Sequence, residues 1–258
     1  MAEIEKTTLV VNEQPEKDIT LLTLNRPNKR NALNIPILEA LCTAITEAEA
    51  SKQRVIILKG SGLVFCAGLD LSEAFDPDQA HKSAQTVAKT LRHLYYTPLV
   101  TIAAVHGSAI AGGAGLMSAC DLAVASKGTR IGYPETRRGL VAGLVMSFLI
   151  RQVGDRAARE LLLTAELIDA TRALELGLLN RIVEEDKLLD TALEMARSVT
   201  KGAPHATAHS KQLLDTMHPP TVEQDIQLAL NHHMQARNSP EAEEGIRAFL
   251  EKRDPSWK

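Results

Sequence analysis

The residues best suited to chemistry fall in three short segments. Ala111-Gly112-Gly113-Ala114-Gly115 follows a buried apolar run and opens into a helix. Adjacent glycines let backbone approach a ligand closely, and N–H groups at a helix start have no partner in the helix. With the helix dipole behind them, such groups stabilise an anion or an oxyanion; tight packing of helix on strand uses the same residues. Phe65-Cys66-Ala67-Gly68-Leu69-Asp70-Leu71 is a second turn, also able to expose N–H groups. Cys66 has no neighbouring histidine and lies in an apolar run, which describes an inert buried thiol better than a nucleophile. Glu135 follows Pro134 in an apolar neighbourhood, where desolvation would raise a carboxyl pKa into a range useful for proton transfer; taken alone, a glutamate there reads more readily as a solvated loop residue.

Several other chemistries lack their residues. The glycine segment has no Gly-Lys-Ser/Thr and no G-x-G-x-x-G spacing, so phosphate-loop and dinucleotide readings lose support. Ser108 lacks the G-x-S-x-G elbow of a serine hydrolase. His205 and His209 have helical ligand spacing but no evident third ligand, and His232 and His233 point to different helix faces, so no metal is expected. The three cysteines Cys42, Cys66 and Cys120 are far apart, which fits a reducing, cytoplasmic setting rather than a disulfide framework.

Taken together, Phe65–Leu71 and the segment His106-Gly107-Ser108-Ala109-Ile110-Ala111-Gly112-Gly113 resemble the two signature segments of the crotonase (enoyl-CoA hydratase/isomerase) superfamily. Leu24-Asn25-Arg26-Pro27 and Arg30-Asn31-Ala32-Leu33 look like its first CoA segment. Ala119–Leu122, Gly132-Tyr133-Pro134-Glu135 and Glu244–Arg253 follow in the order the family shows, so the resemblance covers nearly the whole chain. It implies a fold of repeated ββα units with a helical C-terminal part, and an acyl-CoA thioester as substrate. CoA would enter as part of that substrate, with no separate cofactor.

By the same resemblance, the N–H groups of Leu69 and Gly112 form an oxyanion hole for the thioester carbonyl. Lys29, Arg30, Leu69, Asp70 and Leu71 would hold CoA, and Phe249 and Lys252 would reach the CoA of a neighbouring subunit in a homotrimer or hexamer. Glu135 matches a catalytic glutamate that moves a proton at the α-carbon. One departure bears on the reaction. Hydratases of the family carry a second glutamate just after the glycine loop, and here that position is Gly115. A single carboxylate suits carrying a proton between carbons, so double-bond migration is expected over hydration. Hydration with a substitute acid, for which Glu73, Asp76 and Asp78 on a loop near the pocket are the candidates, is an alternative. Thioesterase or other enolate chemistry, and a silent acyl-CoA-binding protein, also stay open.

The elements that must position these residues follow from periodicity. Strands are expected at Ile19–Leu24, Val55–Lys59, Leu99–Val105 and Leu122–Ala125, alternating with helices from Pro36 to Ala50, Gln85 to Tyr95 and Gly112 to Ala119, an α/β pattern. Beyond Gly143 the pattern is helical, interrupted by one short strand, Arg181–Val183. This divides the chain into an α/β core over residues 1–200 and a helical oligomerisation region over 201–258. Composition is that of a globular protein, with 45% hydrophobic and 24% charged residues. The net charge of -3 and scattered Lys and Arg argue against nucleic acid. Gly139–Ile150 is too short to span a bilayer and Leu99–Ser126 is broken by His106 and Asp121, so no membrane partner is expected. Met1–Lys6 is acidic and has no apolar run of the kind a signal peptide needs.

Overall fold

The computed structural model describes residues 8–71, 77–217 and 220–257. Met1–Lys6, Glu73, Asp76 and the side chain of Asp78 lie outside the described set.

A six-stranded sheet runs in the order β1-β2-β3-β4-β6-β9, and a three-stranded sheet in the order β5-β7-β8. In the large sheet, β1 (Val10–Glu16) lies antiparallel to β2 (Ile19–Leu24). The strands β2, β3 (Val55–Gly60), β4 (Val100–Val105), β6 (Leu122–Ser126) and β9 (Arg181–Val183) pair in parallel. The small sheet joins β5 (Ser108–Ile110) in parallel to β7 (Arg130–Gly132), with β8 (Ile168–Asp169) antiparallel on its far side. Consecutive strands thus divide between sheets: β4 and β6 enter the large one, β5 and β7 the small one. This gives the expected strand–strand–helix repeat.

Parallel strands covered on both faces read as continuous apolar runs. Here Ile19, Leu21, Val55, Ile57, Ile102 and Val124 face helix α6 (Leu188–Thr200) through Leu188, Ala192 and Met195. The alternate residues, among them Leu22, Leu24, Ile56, Leu58, Ala103 and Val105, face the main core. There α1 (Ile35–Ala50), α2 (Pro77–Tyr96), α3 (Gly112–Ala119) and α4 (Gly143–Thr164) pack. Helix α1 starts where Asn34 accepts a hydrogen bond from the Ile37 N–H, and it buries Leu38, Leu41 and Ile45. Such a cap is worth about 1 kcal/mol, and each buried aliphatic side chain roughly 1.5–3 kcal/mol, so packing dominates.

Several boundaries differ from the sequence reading. Strand β1 was not expected, because its residues are largely polar and it carries Pro15 on a half-exposed edge. Strands β5, β7 and β8 are too short to produce a period. Helix α2 begins at Pro77 rather than near Gln85, because Pro suits a first turn and the apolar stripe Ala80-Ala84-Val87-Leu91 starts there. Helix α4 is kinked at Gly154, which has φ 73° and parts it into two helical stretches. After α5 (Ala170–Glu175) and α6 come α7 (Pro204–Thr216), α8 (Val222–Arg237) and α9 (Pro240–Glu251). Helix α8 starts with a capping box between Thr221 and Gln224, and its Val222 and Ile226 join the main core. No described helix is long and apolar enough to cross a membrane.

Candidate active site

The turn after β3 is stitched between two neighbours. On one side, the Phe65 N–H donates to the His106 carbonyl at 2.9 Å, the Cys66 N–H to Ser108 at 3.1 Å, and the Ile110 N–H to Cys66 at 3.0 Å. On the other, the Leu33 N–H donates to Gly68 at 2.8 Å and the Asp70 N–H to Leu33 at 2.9 Å. Gly68 has φ 94°, and a Cβ there would lie 2.8 Å from the Ile110 carbonyl oxygen, so only glycine fits. Among the described residues the Leu69 N–H has no hydrogen-bond partner.

The second donor comes from the start of α3. Ala111 has φ 51° and ψ -120°, a strained conformation for alanine, held by its N–H donating to Gly132 at 2.8 Å. The Gly112 N–H opens the helix and is likewise unpartnered among the described residues. A Cβ on Gly112 would touch the Leu69 side chain at 3.5 Å, so the two donor loops abut. Gly113 lets them do so: a Cβ there would lie 2.4 Å from the Cys66 carbonyl oxygen. Leu69 and Gly112 both line one cleft, of about 80 Å³, with a mostly apolar wall. Cys66 itself is fully buried, its thiol donates to Asn31, and burial pushes its pKa up to about 12. It is the inert thiol expected.

Glu135 faces the same cleft from the 3-10 turn Pro134–Arg138. Tyr133, just before the turn, is fully buried and shares a hydrogen bond with Ser118 of α3 at 2.9 Å, which ties the turn to the donor helix. Beyond the turn, Gly139 has φ 65°, and a Cβ there would lie 2.4 Å from the Glu241 backbone. Gly245 lies against Arg138 equally closely, so α9 rests directly on the turn's backbone. The Glu135 Oε2 is buried and has no hydrogen-bond partner. Burial pushes this carboxyl up to about 7, opposed by its own backbone N–H and by the Arg138 charge. The Arg138 guanidinium lies 4.4 Å from the Phe249 ring centre, a cation–π contact at the cleft's edge.

The remaining expected residues fall as follows. Leu71 lines the cleft and packs on Leu140, Ala242 and Ile246. Asp70 is held by Arg26 at 3.1 Å. Lys29 and Arg30 are exposed on an adjoining turn, whose Arg30 carbonyl accepts from the Ala67 N–H at 3.0 Å. Phe249, expected at a neighbour's CoA, lines the cleft of its own chain, and Lys252 is the exposed cap of α9. His205 and His209 are exposed on α7.

Gly115 is packed rather than vacant. A Cβ there would lie 2.3 Å from Val145 Cγ1, and Val145 itself lines the cleft. The space a side chain at 115 would need is filled by valine.

One cleft residue escaped the sequence reading. His233 is 5% exposed, its Nδ1 lies 3.1 Å from the Val141 carbonyl oxygen, and its Nε2 is buried without a partner. A carbonyl can only accept, so Nδ1 carries the proton and Nε2 is a bare acceptor. Burial holds this imidazole below the usual histidine range; its bond to Val141 opposes that and the Arg237 charge adds to it. The available signal was the stripe Val222-Ile226-Leu230-His233-Arg237, in which an apolar helix face is completed by polar residues.

Comparison with known proteins identifies the family. The enoyl-CoA hydratase/isomerase family profile matches residues 14–258. A Thermus thermophilus protein provisionally named an enoyl-CoA hydratase is 37% identical over 93% of this chain and 97% of its own length. The short-chain-enoyl-CoA hydratase of Clostridium acetobutylicum is 34% identical over 93% of this chain and 94% of its own. The crystal structure of an enoyl-CoA hydratase from Mycobacterium avium superposes with a TM-score of 0.86 at 33% identity, covering 97% of this chain and 99% of that one. The chain belongs to the enoyl-CoA hydratase/isomerase family of the crotonase superfamily, and is an acyl-CoA enzyme of that family.

Proposed function

We propose that this enzyme takes an enoyl-CoA thioester, holds its enolate between the Leu69 and Gly112 N–H groups, and moves a proton with Glu135. The observation that carries the proposal is the buried, unpartnered Glu135 Oε2, on a residue that lines the same apolar cleft as two unpartnered N–H groups. The thioester oxygen accepts from both donors. The ionised Glu135 removes a proton from C2 of a 3-enoyl thioester, and the C2 electrons flow onto that oxygen. The same carboxyl then returns the proton to C4, which leaves a 2-enoyl thioester. Fixed donors need no reorganisation as charge grows, and losing one typically costs ~3–4 kcal/mol.

Migration is favoured over hydration because Gly115 supplies no second carboxylate and Val145 occupies its space. Lys29, Arg30 and the Leu69–Leu71 backbone would hold CoA, with Asp70 steadied by Arg26. Assembly as a homotrimer or hexamer, with Phe249 and Lys252 near a subunit boundary, completes the reading. Rates of the purified protein on a 3-enoyl-CoA and on crotonyl-CoA, followed by thioester absorbance, test it. Migration is expected to be the faster reaction; hydration outrunning migration would overturn the preference.

A further inference from the structure

The cleft holds one more proton-accepting atom than migration needs. His233 is 5% exposed, and its Nε2, buried in the cleft wall, has nothing to accept from. An unmet buried acceptor destabilises the fold, so it marks a place where a partner arrives later. Because Nδ1 is committed to the Val141 carbonyl, that partner must be an O–H or N–H donor, not a carboxylate. Val141 belongs to the strip that leaves the Glu135 turn through the Leu140 N–H to Glu135 carbonyl bond and ends at Val145, against Gly115. The imidazole is therefore fastened to the strip of chain that joins the Glu135 turn to Val145, and it lines the same cleft.

We infer that His233 is a second proton-transfer residue, which activates water and gives this enzyme a hydratase activity beside double-bond migration. The inference rests on the proposed oxyanion hole and Glu135 chemistry. Water oxygen bonds to C3 of a 2-enoyl thioester while one of its protons passes to Nε2 of His233. The C2–C3 π electrons move toward C1, and charge collects on the thioester oxygen held by Leu69 and Gly112. Protonated Glu135 then gives its proton to C2 as the carbonyl re-forms. The imidazolium returns its proton to the Glu135 carboxylate, so the net change is addition of one water with no redox step. The titratable and charged groups around this histidine are Glu135 and Arg138 across the cleft and Arg237 on its own helix. Burial first, and the Arg237 charge after it, disfavour the imidazolium, so the base is a weak one.

Two variants test this. His233→Asn keeps an N–H for the Val141 carbonyl and removes the Nε2 acceptor. His233→Gln offers an amide that can accept a hydrogen bond but cannot take a proton. Crotonyl-CoA hydration, 3-enoyl-CoA migration and CoA binding are measured for each, beside wild type and with circular dichroism to check folding. The expected result is a fall of about 10²-fold or more in the ratio of hydration to migration in both variants. An unchanged ratio, or hydration retained in His233→Gln, would overturn the proton-transfer role. Wild type that migrates double bonds but adds no water overturns it without any variant. Wild type that does neither would count against the underlying enolate reading instead.

Discussion

Replacing Glu135 with glutamine separates two consequences of its burial. The carboxyl is pushed up to about 7 from its ordinary 4.5. The folded protein therefore keeps this proton up to near pH 7, whereas the unfolded chain releases it near 4.5. Between those values the native state binds more protons, so stability falls as pH rises and levels off above about 7. A shift of that size corresponds to ~3 kcal/mol over the window. Glu135→Gln cannot titrate, so its stability relative to wild type should improve by most of that amount between pH 5 and pH 8. Urea unfolding at the two pH values gives the difference directly. In the same variant, migration should drop roughly 10²–10⁴-fold with CoA binding retained, as expected for loss of a general base. The wild-type rate should rise with pH and reach a plateau above about 7, since only the ionised carboxyl removes the C2 proton. Parallel stability curves for the two proteins would show that the carboxyl is not desolvated, and the argument from burial would fall.

Gly115→Glu alone should lose about 1–3 kcal/mol of stability, because its Cβ meets Val145 Cγ1 at 2.3 Å. Combining it with Val145→Ala should recover stability and raise crotonyl-CoA hydration over the wild type. A fully stable single variant would show that the two residues do not compete for space. Gly113→Ala should destabilise by a similar ~1–3 kcal/mol and slow turnover, since the Cβ would push the donor loops apart at Cys66; thermal unfolding and initial rates check it. Arg30→Ala should weaken CoA binding by about 1–2 kcal/mol, and added salt should weaken it in the wild type, both read by calorimetry.

What the sequence made legible was local. The glycine segment and the turn at Phe65–Leu71 stand out within a few residues, because close backbone approach needs particular neighbours in the chain, whereas Glu135 stands out only through its place in the family's order of segments. The long parallel strands were legible for the same reason, as apolar runs covered on both faces. What was hidden depends on distant contacts. Nothing near Gly115 indicates that Val145 fills the space beside it, and nothing near His233 indicates that its ring bonds to Val141. Strands β1, β5 and β7 escaped because one is polar and carries a proline, and the others are three residues long. The role of α9 in backing the Glu135 turn depends on Gly139 and Gly245, whose meeting no single segment can foretell.

In the proposed reaction an acyl-CoA loses its C2 proton to Glu135 while its thioester oxygen rests on the Leu69 and Gly112 N–H groups. The most direct measurement is exchange of the C2 hydrogens of a saturated acyl-CoA in deuterated buffer, followed by proton NMR with the purified enzyme. This reads enolate formation alone, whatever migration or hydration follows. Exchange well above the uncatalysed rate is expected in the wild type, falling by at least 10²-fold in Glu135→Gln. Exchange that is absent from an enzyme shown to bind CoA, or equal in wild type and Glu135→Gln, would contradict it.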